Sequence, residues 1–68
     1  MTKKLERIKT AYREAERFMG RCDELFAVLE ADEHLARYFD AGVGNKESGA
    51  VRRASMDLTR ALAEMRKQ

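Results

Sequence analysis

The chain contains no proline and no tryptophan, and among its 68 residues there is a single cysteine, Cys22, and a single histidine, His34. Without proline, no position loses a backbone donor, so nothing kinks or breaks a helix by that route. One cysteine excludes a disulfide within the chain, and one Cys with one His is too few for a structural zinc. A chain this short buries only about 60% of the surface its unfolded form exposes. Its core typically supplies no more than about 3–5 kcal/mol unless something reinforces it. The remaining routes to stability are close helix packing and oligomerisation. No stretch approaches the ~20 consecutive apolar residues that span a bilayer. The start, Thr2-Lys3-Lys4-Leu5-Glu6-Arg7, is charged and is followed by no signal-like apolar run. The expectation is one domain that needs no membrane, in a reducing compartment, most simply the cytoplasm, which suits a lone thiol.

Charge and apolar periodicity are plentiful. Charged residues make up 38% of the chain and apolar residues 44%. That is too apolar for a disordered tail and suits helices with one wet face. Leu5, Ile8, Tyr12, Ala15, Met19, Cys22, Phe26 and Leu29 follow one another at spacings of 3 and 4 in strict alternation. This is a heptad pattern held over nearly four repeats. Ala11, Phe18 and Leu25 also recur by seven and widen the stripe on one side. The apolar face then covers about 120°, the width of a bundle helix rather than of a simple coiled-coil seam. With Thr2 as N-cap, the pattern predicts a helix over about 3–30, roughly 42 Å long.

Leu35, Tyr38 and Phe39 fall on a different face, which predicts a break near Ala31–Asp32. Asp32 would cap a short helix over about 33–40, the alternative being one continuous helix. Asp40-Ala41-Gly42-Val43-Gly44 stops helical structure in either case. A loop over 41–47 leads to a last helix over about 48–66, started by Asn45 or Ser48. Val51, Ala54, Leu58, Ala61 and Met65 recur there at 3 and 4, with Ser55 and Leu62 alongside. The small residues on this face let another helix approach closely. Arg53–Asp57 and Arg60–Glu64 are expected as i,i+4 ion pairs on its outer side. The predicted fold is all-α: a long heptad helix, a short second helix and a third packing back as an antiparallel hairpin, completed as a dimeric helical bundle.

"GVGNKESG", residues 42–49, has the look of a phosphate loop. The Walker pattern needs Gly-Lys-Ser/Thr after a buried strand, but Asn45 precedes Lys46, Glu47 separates Lys46 from Ser48, and helix precedes the loop. A turn with an N-cap is the better reading, and no cofactor is expected. Cys22, inside the heptad stripe, reads as a small buried apolar side chain. His34, beside Asp32 and Glu33, reads as a solvated helix-start residue. "RRAS", Arg52 to Ser55, resembles the substrate pattern of a basophilic protein kinase, although the arginines read more simply as outer-face charges.

"LARYFDAGVGNKESGAVRR" resembles a helix-turn-helix, which would make the segment beginning at Val51 a recognition helix. The turn glycine of that family would fall at position 40, where this chain has Asp40. The stretch before Val51 is about five residues longer than the motif's fixed helix crossing allows. In length and first heptad helix the chain is also similar to the Rop-type plasmid proteins, helical-hairpin dimers that bind paired RNA loops. That likeness implies a two-helix hairpin bending near Ala31 to Glu33. It leaves no place for the segment 35–45.

Charge is unevenly distributed. Residues 1–21 carry seven basic and three acidic side chains, residues 22–48 two and seven, and residues 49–68 five and two. An antiparallel hairpin would gather the basic stretches at one end and the acidic segment at the other. Two function classes follow. The first is a non-catalytic homo-oligomeric protein-interaction or adaptor module, with Leu5, Ile8, Tyr12, Phe18, Met19, Leu25 and Phe26 as the oligomer interface. Its partners would be a second copy and an unidentified protein. The second is a nucleic-acid-binding regulator using Lys9, Arg13, Arg17, Arg21, Arg52 and Arg53. No general acid–base or nucleophile constellation is visible, so no enzyme is expected.

Overall fold

A computed structural model describes residues 2–42 and 44–67. It consists of three helices: α1 over Lys3–Ala31, α2 over Glu33–Asp40 and α3 over Lys46–Arg66. Each begins at a side chain that satisfies amides the helix leaves free. The Thr2 hydroxyl accepts from the Leu5 amide at 3.2 Å. The Asp32 carboxylate accepts from the amides of His34 at 3.0 Å and Leu35 at 3.2 Å. Asp32 takes an extended backbone, so the chain breaks there and is not one continuous helix. Asn45 and Ser48, alternatives in the sequence, act together. The Asn45 side chain accepts from the Ser48 amide at 2.7 Å, and the Ser48 hydroxyl accepts from the Asn45 amide at 2.9 Å. This reciprocal cap starts α3 at Lys46, two residues before the expected 48.

α2 stops where the amides of Ala41 and Gly42 bond back to the carbonyls of Arg37 and Phe39. Gly42 then takes φ +96°, where a side chain is strained. Val43 lies outside the described residues. Gly20, by contrast, sits within α1 with open space around an added Cβ. Gly42→Ala is therefore expected to lower stability by about 1 kcal/mol. Gly20→Ala should raise it by about 0.5–1 kcal/mol, because alanine is the better helix former. Urea denaturation followed by circular dichroism separates the two, and equal shifts would contradict the assigned backbone at Gly42.

α3 packs back along α1, and α2 packs on α1 alone. The hairpin is antiparallel: residues 3–14 face 57–64, and residues 17–21 face 46–53. The result is a rod of 49 × 18 × 13 Å. α2 makes no packing contact with α3. A helix-turn-helix requires its two helices to pack on each other, so that resemblance is not realised.

The seam between the helices lies off the centre of the heptad stripe. Ala11 and Leu25 of α1 and Ala54 and Ala61 of α3 are the buried apolar residues among those described, with Ala54 at 0% exposure. The small side chains of α3 permit closest approach against the 11/18/25 row, which the sequence read only as a widening of the stripe. Centring there leaves the other edge of the stripe outside the seam. Cys22 is consequently half-buried rather than buried.

The expected Arg53–Asp57 and Arg60–Glu64 pairs do not form among the described residues. Asp57 instead pairs across the seam with Arg17 at 2.8 Å, and Glu64 pairs with Lys67 at 2.9 Å. Placing the base N-terminal to the acid is the weaker order for an i,i+4 pair, which leaves both carboxylates open to better partners.

Candidate interaction surfaces

Helix geometry divides the hairpin into two unlike faces. Successive side chains rotate by about 100°, so residues 5, 8, 12, 19 and 26 share one edge of α1 within an arc of roughly 60°. These are Leu5, Ile8, Tyr12, Met19 and Phe26, and they are 41–67% exposed. In an antiparallel pair of right-handed helices, this edge lies on the same side as Val51, Leu58 and Leu62 of α3. Those three are half-buried, as are Ala15 and Cys22 of α1. One face of the rod is therefore apolar along most of its length and is built by both helices. Of the other two residues assigned to an interface from sequence, Phe18 is half-buried at the seam and Leu25 is buried. Leu25 belongs to the hairpin's own core and is not offered to a partner.

The opposite face is polar. Arg17 bridges Glu14 at 3.3 Å and Asp57 at 2.8 Å. Hydrogen bonds to Asp57 and then to Glu14 hold the Arg17 proton above its ordinary range. The Lys67 hydrogen bond, with help from the charges of Lys67 and Arg7, lowers the Glu64 carboxyl. Near the termini this face mixes signs, with Lys3, Arg7 and Arg60 beside Glu6, Glu14, Asp57 and Glu64. Nearer the α2–α3 loop, Arg17 and Arg21 line a groove with Lys46 and Arg53 over Gly49 and Ala50.

The ridge of cations read along α1 is thus divided. Arg17 and Arg21 enter the interhelical groove, whereas Lys9 and Arg13 lie on the outer surface of α1 near Glu6 and Glu16. Arg52 borders a neighbouring hollow with Arg53, Met56 and Arg60. Lys46 joins the groove although sequence reasoning placed it in a loop. The Asn45-x-x-Ser48 spacing was the signal that α3 begins early enough to aim it there.

The remaining sequence motifs are occupied locally. Asn45 and Ser48 of "GVGNKESG" cap α3, and α2 precedes the loop. Saturable ATP or GTP binding is not expected at micromolar concentration in equilibrium dialysis, and binding lost on Lys46→Ala would overturn this. Ser55 donates its hydroxyl to the Arg52 carbonyl at 2.7 Å inside α3. His34 is exposed in the first turn of α2. Among the described residues, no three His, Cys, Asp or Glu side chains gather where they could hold a metal ion. Among the described residues, no helix is long and apolar enough to cross a membrane. No protein-family model matches the chain, and no curated protein or solved structure is significantly similar to it.

Proposed function

We propose that the chain is a non-catalytic helical interaction module that works as a homodimer, two hairpins closing their apolar faces into a four-helix bundle. The observation that carries this is a mismatch of burial. Three of the four buried apolar residues described are alanines, while Leu5, Ile8, Tyr12, Met19 and Phe26 stay largely outside. Burying a large apolar side chain stabilises by roughly 1.5–3 kcal/mol. Covering the exposed parts of five such groups contributes about as much as the ~3–5 kcal/mol expected of a core this size.

A second copy is the occupant that fits. A face of about 49 × 18 Å is large enough to hold the ~800 Å² per partner of a standard stable interface. Charge favours an antiparallel arrangement, because the basic helical ends of one rod then lie beside the acidic segment 22–48 of the other. A two-fold axis lying in the interface and perpendicular to the length of the rod produces that arrangement, and the face meets itself. The preference is modest, since exposed charges are screened. The bundle's outer surfaces then serve as an adaptor for a protein partner, and the free thiol of Cys22 suits a reducing compartment such as the cytoplasm. Sedimentation equilibrium tests the reading: the 7.8 kDa chain should run at twice its mass at micromolar concentration.

A further inference from the structure

The groove lined by Arg17, Arg21, Lys46 and Arg53 is unlike the rest of the polar face. Among the described residues, six line it, of which four are cations and none is an acid. Gly49 and Ala50 complete its lining, and around Gly49 there is open space where a Cβ would stand. Arg17 is engaged by Asp57 and Glu14. The other three have spare capacity. Arg21 touches Glu24 at 3.4 Å through one terminal nitrogen, which leaves its other terminal nitrogen for a ligand, while its Nε is buried. Lys46 and Arg53 take part in none of the ion pairs.

We propose that this groove binds the phosphodiester backbone of a nucleic-acid duplex without reading its sequence. Guanidinium forks match phosphate oxygens in pairs, and an ammonium serves as a point charge beside them. Arg17 and Arg21 stand one helical turn apart, about 6 Å, and Lys46 and Arg53 about 10 Å apart along α3. A duplex presents one negative charge per about 1.7 Å of axis, so several phosphates fall within that span. Contacts of this kind position a protein and carry no sequence information. An acidic peptide fits less well. Arginine clusters also take acidic motifs, but a peptide gains much of its affinity from buried apolar or aromatic anchors, and Ala50 is the only apolar side chain among the described residues lining the groove. All four cations belong to one chain and lie opposite the apolar face, so the proposal does not rest on dimerisation.

Fluorescence anisotropy with labelled random-sequence DNA and RNA duplexes of ~20 base pairs tests it. Binding is expected in the micromolar range at ~50 mM salt, with log K falling against log salt at a slope of about −3 per protomer, because Arg17 enters already neutralised. Arg53→Glu should weaken binding tenfold or more. Arg37→Glu, the same charge change on α2, should weaken it threefold or less. Arg21→Gln should weaken it several-fold and flatten the slope by about one unit, with an unchanged circular dichroism spectrum. That provides a second reading if Arg53→Glu perturbs the fold. Absence of binding at ~50 mM salt would overturn the proposal. So would equal losses for Arg53→Glu and Arg37→Glu, or polyglutamate displacing the duplex at equal charge concentration.

Discussion

Ala54→Leu is expected to lower the thermal midpoint by roughly 4–24 °C, or to abolish a cooperative transition altogether. Ala54 is at 0% exposure, on the face of α3 that packs against α1. Adding three carbons there forces the helices apart or drives side chains off their rotamers, which costs typically about 1–3 kcal/mol. In a chain whose core supplies about 3–5 kcal/mol, that is a large share of the whole. For a domain of 60–100 residues, each kcal/mol moves the midpoint by about 4–8 °C. Ala63→Leu is the matching control, because Ala63 is exposed on the far side of α3. It should stay within about 0.5 kcal/mol of the parent. Thermal melts of both variants by far-UV circular dichroism make the comparison. Equal midpoints would mean that the helices do not meet at Ala54.

The double substitution Tyr12→Glu with Phe26→Glu is expected to convert the proposed homodimer to monomer and weaken its association about a thousandfold or more. Both residues lie on the exposed apolar edge of α1, at 67% and 54% exposure, so neither is needed to fill the hairpin's own seam. In a two-fold dimer each substitution acts twice, removing four large apolar contacts and placing four carboxylates at the interface. Even about 1 kcal/mol for each lost contact amounts to roughly 4 kcal/mol, near a thousandfold at 1.4 kcal/mol per decade. Buried unpaired carboxylates add to this. Arg60→Glu, on the polar face, should leave the mass of the proposed dimer unchanged. Sedimentation equilibrium across a concentration series reads all three proteins. A parent chain that is monomeric and cooperatively folded at micromolar concentration would sink the homodimer reading.

The helices themselves were legible in the residues. Thr2, Asp32 and the glycines after Asp40 mark ends set by local hydrogen bonding and backbone sterics, which act within one turn and need no tertiary partner. The heptad spacing and the alanines of α3 predict that α1 and α3 pack together, because the pattern defines a face on each helix. Which part of α1's stripe is covered depends on the other helix. Ala54 and Ala61 draw α3 onto the 11/18/25 row, where approach is closest. That choice puts Leu25 inside and leaves Tyr12, Met19 and Phe26 outside. Charge pairing shows the same division. Arg53–Asp57 looked satisfied along one helix, but Asp57 turns to Arg17, 40 residues away in sequence. Periodicity along a single helix carries no information on which cation a neighbouring helix will bring within 3 Å. The cationic groove arises the same way. Lys46 and Arg53 meet Arg17 and Arg21 only because the hairpin folds back in this register.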